Sequence, residues 1–229
     1  MAILKVDDLS LGYDNEVVIN KISFEVKKKD FILVLGSNGV GKSTLIKGIL
    51  GMIKPLSGSV VYDEIDKKHV GYMPQDLKID SNFPATVMEI VLSGLINQMG
   101  YRPFYNKNDK KKAVNSLQVL GIEHWKNKNF NELSGGQRQK VLLARSLCAT
   151  SGLIVLDEPS NNLDIESKVE FYSILKHLNE GHNISIIMIT HDVDRDRDSL
   201  IGNKVLELRK DTYFFGTTEE YMKEQGYDS

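Results

Sequence analysis

The sequence predicts an α/β fold built on a mostly parallel core sheet, and three observations carry that expectation. Runs that are apolar on both faces, such as Phe31–Leu35, Leu153–Asp157 and residues 184–190, stop at glycine, acidic or polar residues. Such runs suit strands inside a sheet covered on both sides. Stretches with helical apolar spacing, residues 43–50 and 165–180, lie between them, and alternating strands and helices imply parallel strands. The 229 residues are 41% hydrophobic and 26% charged, which suits one large or two small ordered domains and argues against disorder.

In chain order, the N-terminal stretch has Ile3, Val6 and Leu9, then Val17, Val18 and Ile19, then Ile22, Phe24 and Val26. This is strand-like spacing, with Gly12, Asp14 and Asn15 as turn residues between the runs. Residues 31–35 form the first buried strand, and the helix over 43–50 stops at Gly51. Residues 60–62 and 70–73 read as two short strands. The middle then turns helical. Val87, Ile90, Val91, Leu95, Ile96 and Met99 predict a helix over 86–99. Residues 101–108, with Pro103, form a loop. Ala113, Val114, Leu117 and Leu120 mark a second helix over 109–120, and residues 135–149 a third. Residues 76–150 are thus expected to be a helical insertion in an α/β core made from 1–75 and 151–229. The core ends with strands at 184–190 and 204–209. The runs Lys27-Lys28-Lys29 and Lys110-Lys111-Lys112 read as solvated faces.

Composition excludes several roles. Lys and Arg number 29 against 31 Asp and Glu, a net charge of −2, so nothing draws the chain generally to nucleic acid or anionic lipid. A lone Cys148 forms no internal disulfide and fits a reducing compartment. The first residues show no signal-peptide pattern, and the longest apolar runs fall far short of the ~18 residues that cross a bilayer. The five histidines are scattered, with no Cys/His cluster at ligand spacing. His177 and His182, five residues apart, fall off one i, i+4 face and read as surface residues.

The strongest local signal is Gly36-Ser37-Asn38-Gly39-Val40-Gly41-Lys42-Ser43-Thr44, a G-x-x-x-x-G-K-[ST] loop between a predicted buried strand and a predicted helix. Glycines let successive backbone N–H groups turn inward as an anion nest. The helix N-terminus adds unpaired donors and a positive dipole end. Lys42 is expected on the β/γ-phosphates, Ser43 on Mg²⁺ and Thr44 on the α-phosphate. The strand 153–157 delivers Asp157 and Glu158 at its carboxyl end, where α/β sheets bind ligands. Asp157 is expected to hold Mg²⁺. Glu158, pointing the other way, is expected to orient or deprotonate an attacking water.

A phosphate loop alone leaves kinases, GTPases and motor ATPases open. Leu133-Ser134-Gly135-Gly136-Gln137 narrows the choice, because it resembles the signature of ATP-binding-cassette (ABC) ATPases and lies between the two phosphate-binding motifs as it does there. Ser134 is a good N-cap, and Gly135 and Gly136 expose N–H groups at a helix start. The resemblance spans essentially the whole chain. It implies the P-loop NTPase fold of ABC ATPases, with an N-terminal antiparallel β-subdomain and a helical insert. It further implies that Tyr13 stacks on adenine, that Gln75 reaches Mg²⁺ and the attacking water, and that His191 contacts the γ-phosphate. The loop Ser160-Asn161-Asn162-Leu163-Asp164 would cross a dimer interface through Asn162 and Asp164. Two copies would then hold ATP and Mg²⁺ between the 36–44 loop of one and Ser134, Gly135, Gly136 and Gln137 of the other, with Glu158, His191, Gln75 and Lys42 serving hydrolysis.

One cassette in a chain without a membrane span resembles the separate ATPase subunit of a transporter. It would be held at the cytoplasmic face of the membrane by an integral permease and served indirectly by an extracytoplasmic substrate-binding protein. The segment from Asn82-Phe83-Pro84-Ala85-Thr86 to Gly94, and the ending Phe214-Phe215-Gly216-Thr217-Thr218, resemble the ATPases of zinc and manganese importers. ATPases of iron–siderophore and haem import share much of this pattern. A permease-free ABC protein acting on DNA ends or ribosomes is the reading from another class. The chain lacks the long coiled coil, the second cassette and the basic stripe that such roles use, so no nucleic-acid partner is expected.

Overall fold

The computed structural model describes residues 2–14, 16–75, 84–161, 163–191 and 201–226. Among these, β1 (Ala2–Tyr13), β2 (Glu16–Lys27) and β4 (Ser57–Tyr62) form an antiparallel sheet ordered β2-β1-β4. A larger sheet contains β3 (Phe31–Leu35), β5 (Val70–Met73), β6 (Leu153–Asp157), β7 (Ser185–Ile189), β8 (Lys204–Leu208) and β9 (Tyr213–Thr217). Its order is β5-β6-β7-β3-β8-β9. All neighbours run parallel except β9, which returns antiparallel along β8.

Side chains alternate across a strand with a period of two, and here both faces of the larger sheet are covered. Phe31, Leu33 and Leu35 enter one core with Ile154, Leu156, Ile186 and Met188. Ile32 and Val34 enter the other with Leu153, Val155, Ile187 and Ile189. The first core continues into α2 (Val87–Ser93), α3 (Lys107–Val119), α4 (Gly135–Ala149) and α5 (Ile165–His182). The second is closed by α1 (Lys42–Ile49) and the antiparallel sheet.

The helical segment is therefore packed directly on the sheet. One glycine, Gly71 of β5, allows the approach of α4 to the sheet, and another, Gly94 at the end of α2, the approach of α4 to α2. A methyl group on Gly71 would lie 2.2 Å from the Ser146 carbonyl oxygen, and one on Gly94 would lie 2.3 Å from that of Arg145. Backbone atoms cannot swing aside, so only hydrogen fits at either position. Arg145 adds a side-chain tie, donating from Nε to Ser93 Oγ at 2.9 Å.

The structure departs from the sequence expectations in several places. Gly12 is not a turn residue. It lies inside β1 opposite Val17; Asp14, with φ 49°, takes a turn conformation, and Asn15 lies outside the described residues. The helix expected over 86–99 is α2 followed, after Gly94, by a short 3₁₀ turn at Ile96–Gln98. The helix expected from 109 starts at Lys107, capped by Asn106, whose side chain and that of Asp109 satisfy each other's backbone N–H groups. β9 and the terminal helix α6 (Thr218–Glu224) have no counterpart among the expected elements. His177 and His182 are both exposed, yet their rings meet edge-on at 5.2 Å, because His182 is the last residue of α5.

Candidate active site

The parallel sheet brings the ends of β3 and β6 to one edge of the core, and the phosphate loop leaves β3 there. Gly36 has φ 136° and Gly41 φ 110°, a backbone region that residues with a Cβ avoid. Gly41 caps α1 without a side-chain bond, so donors of the first helical turn remain available to an anion. Lys42 is 6% exposed. Its Nζ donates to the carbonyls of Gly36 at 2.7 Å and Ser37 at 3.0 Å, which folds the loop around the ammonium. Burial pulls the Lys42 ammonium below its usual pKa, against the opposing pull of the Glu158 and Asp157 carboxylates.

β6 ends at Asp157, which is 6% exposed and receives the Ser43 hydroxyl. Its Oδ1 is buried without a hydrogen-bond partner. Burial first, then the charge of Glu158, raises the Asp157 carboxyl above its ordinary range. An orphaned carboxylate oxygen beside a hydroxyl matches the hard oxygen-donor set that Mg²⁺ prefers.

Glu158 breaks the strand pattern. Its φ is 50°, a left-handed conformation costing roughly 1–2 kcal/mol for a non-glycine residue. Its N–H bonds to the Ile189 carbonyl of β7 at 3.1 Å, which holds the turn in place. Glu158 joins the wall of the loop cavity, which Asp157 does not line. Three side chains converge on its carboxylate. Gln75 Nε2 donates to Oε2 at 2.6 Å, Asn161 Nδ2 donates to the same oxygen, and His191 Nε2 lies 2.9 Å from Oε1.

The loop cavity has a volume of 330 Å³ and is lined by Val18, Asn38, Gly39, Gly41, Lys42, Ser43, Thr44 and Glu158. The signature segment does not line it. Ser134 caps α4, with Gln137 N–H bonded to its hydroxyl at 3.4 Å and its own N–H bonded to Gln137 Oε1 at 3.0 Å. Ser134 and Gly135 are exposed. Tyr13, at the end of β1, is 44% exposed and does not line the cavity either. Asp164 caps α5, accepting from Ser167 N–H at 2.9 Å and Ser167 Oγ at 3.0 Å. Asn162 lies outside the described residues.

Two residues absent from the expected catalytic and binding set stand in the site. Asn161 touches Glu158, and its signal was local: it lies three residues on, in a tight turn whose backbone bond joins Asn161 N–H to the Glu158 carbonyl at 3.2 Å. Val18 lines the cavity from β2 and carries no sequence signal beyond strand spacing.

Among the described residues no helix is long and apolar enough to cross a membrane, and no group of three or more His, Cys, Asp and Glu side chains could hold a metal ion.

Comparison with known proteins identifies the family. The chain matches the ABC transporter family over residues 19–161. It is 35% identical over 227 residues to the zinc uptake system ATP-binding protein ZurA of Listeria innocua, covering 96% of this chain and 88% of that one. To the high-affinity zinc uptake system ATP-binding protein ZnuC of Bacillus subtilis it is 33% identical over 215 residues, covering 92% of each. Among solved structures, the ADP conformation of MJ1267, an ATP-binding cassette of an ABC transporter, superposes with a TM-score of 0.84 at 25% identity. That match covers 100% of this chain and 96% of MJ1267. A phosphate loop closed by Lys42, a carboxylate held by three side chains at the end of β6 and a family match over most of the fold lead to one conclusion: the chain belongs to the ABC transporter family, as an ATP-hydrolysing cassette.

Proposed function

We propose that this cassette powers import of a divalent metal ion, zinc in the first instance, through a separate integral permease at the cytoplasmic face of the membrane. An extracytoplasmic binding protein would select the ion. The metal assignment is supported by the names of the relatives. The local chemistry supports only the ATPase, since the histidines are scattered along the sequence.

The observation that carries the ATPase reading is the convergence on Glu158. Gln75, Asn161 and His191 fix both carboxylate oxygens beside the cavity that Lys42 and Ser43 line. A carboxylate held in that way orients a water for in-line attack and accepts its proton. Lys42 and the loop N–H groups stabilise charge on the phosphates. Ser43, Asp157 and Gln75 would hold Mg²⁺, which when bound neutralises the phosphate oxygens. Tyr13 supplies a π face for adenine.

A second copy is needed for the other half of the pocket. Ser134, Gly135, Gly136 and Gln137 do not line the cavity of their own chain, while Ser134 and Gly135 are exposed at a helix start. In the dimer they face the γ-phosphate on the partner, with Asn162 and Asp164 at the shared face. Loss of the γ-phosphate then removes the bridge, and α2–α4 pass the opening to the permease.

The test is ATP-dependent uptake of labelled Zn²⁺ into vesicles holding the full chain and its permease. Uptake that needs both ATP and this chain supports the proposal. Uptake of iron chelates or haem without Zn²⁺ transport would replace the substrate, and absence of ATP hydrolysis would refute the reading altogether.

A further inference from the structure

The two signature glycines are not equivalent. A methyl group on Gly135 would meet nothing within 4 Å, whereas one on Gly136 would lie 2.9 Å from Ser167 Oγ and 3.3 Å from Ser167 Cβ. Gly136 shows no left-handed backbone that would itself demand glycine. The demand comes from α5. Ser167 is not free to rotate away without loss, because its hydroxyl is bonded to Asp164 Oδ2 at 3.0 Å and its N–H to Asp164 Oδ1 at 2.9 Å. One turn further along both helices, Lys140 Nζ on α4 pairs with Glu170 Oε1 on α5 at 2.5 Å, with Lys140 only 16% exposed. The first turns of α4 and α5 are thus joined at two points within one chain.

We infer that Ser167 is a positioning residue: by packing on Gly136 while holding Asp164, it fixes the signature segment and the Asp164 cap relative to each other. This rests on the dimer reading above, in which the signature segment of one copy faces the nucleotide on the other and Asp164 lies at the same shared face. The contact lets them arrive at the partner as one unit. Any side chain at position 136 would displace the Ser167 hydroxyl from Asp164 and uncouple them, whatever it did to the phosphate.

The test is a double-mutant cycle on the full chain with its permease, reading kcat, KM for ATP and melting temperature. Ser167→Ala removes the tether and keeps the backbone cap. It should lower kcat about threefold with KM and melting temperature little changed. Gly136→Ala should lower kcat about tenfold, and Gly136→Ala with Ser167→Ala should recover roughly half of that loss on a logarithmic scale. If the two substitutions at 136 and 167 instead multiply independently in kcat, the positioning role is overturned. It is also overturned if Ser167→Ala changes only the melting temperature. If the unsubstituted chain hydrolyses no ATP, the function reading itself fails, and the positioning role fails with it.

Discussion

Replacing Glu158 by Gln separates catalysis from architecture at a single atom. In the native site Oε2 accepts from both Gln75 and Asn161, while Oε1 faces His191 Nε2 at 2.9 Å. A glutamine at 158 keeps one acceptor oxygen, which stays with Gln75 and Asn161, and turns its amide N–H towards His191. The imidazole can accept that bond in the neutral tautomer protonated on Nδ1. The structural loss is therefore the difference between charge-assisted and neutral hydrogen bonds, about 1 kcal/mol. For a chain of this size that lowers the melting temperature by about 2–4 °C. The chemical loss is larger, since an amide cannot take the proton from water, and a positioned general base contributes roughly 10²–10⁴-fold. The expected result is kcat reduced at least about 100-fold with nucleotide affinity retained, because Lys42 and the loop donors are untouched. Steady-state hydrolysis and an ATP titration on the same preparation measure both. A kcat within about threefold of the native value would remove Glu158 from the reaction and leave its three partners unexplained.

Other perturbations test other parts of the fold. Lys42→Ala removes the ammonium that closes the loop on Gly36 and Ser37, so ATP affinity should fall by roughly 2–4 kcal/mol, about 30-fold or more; unchanged binding in a titration would contradict the cradle. Gly71→Ala places a methyl 2.2 Å from the Ser146 carbonyl oxygen and should cost about 1–3 kcal/mol in denaturant unfolding, with stability equal to the native chain ruling out the tight α4–β5 contact. Asp109→Ala removes the acceptor of Arg102 and of the Asn106 N–H, both at 2.8 Å, and should cost about 1 kcal/mol at pH 7. The Arg102 side-chain bond, and to a smaller extent the Asn106 N–H, holds the Asp109 carboxyl below its usual range. Its stabilisation is therefore complete above the unfolded value near 3.8 and is lost as pH falls through the lower folded value. A stability gap between native and variant chains that persists undiminished in strong acid would refute that assignment. Cys148 is 4% exposed with its thiol pushed up to about 11 by burial, so a thiol reagent at pH 8 should label it slowly when folded and fast in denaturant; immediate labelling of the folded chain would contradict its burial.

The legibility of the site followed how local each signal was. The 36–44 loop carries its own geometry, since glycines at left-handed positions, a lysine and a helix start occur within nine consecutive residues. The signature segment is likewise a cap and a helix start in one pentapeptide, and Ser134 with Gln137 forms the capping box its spacing allows. Buried strands were readable because Phe31–Leu35 and Leu153–Asp157 are apolar on both faces. β9 was not, because Tyr213, Phe214, Phe215 and Gly216 are only partly buried at the sheet edge, where strand and turn chemistry look alike. The close packing of Gly94 on a carbonyl 51 residues away in sequence is likewise something no periodicity reports.

By itself the sequence determined which chemical groups the protein carries and the local frames that hold them: an anion-binding loop, a capped signature helix and an acidic strand end. Each is specified by neighbouring residues through backbone propensity and side-chain period. Only the tertiary structure decided that Glu158 leaves the strand in a left-handed turn pinned to β7, that Gln75, Asn161 and His191 meet on its carboxylate, and that Gly136 rests on Ser167. Apart from the local turn that brings Asn161 to Glu158, these contacts join segments that lie far apart in sequence, 33 residues for His191 and 83 for Gln75. Their geometry is set by the packing of whole strands and helices, not by the residues beside them in the chain.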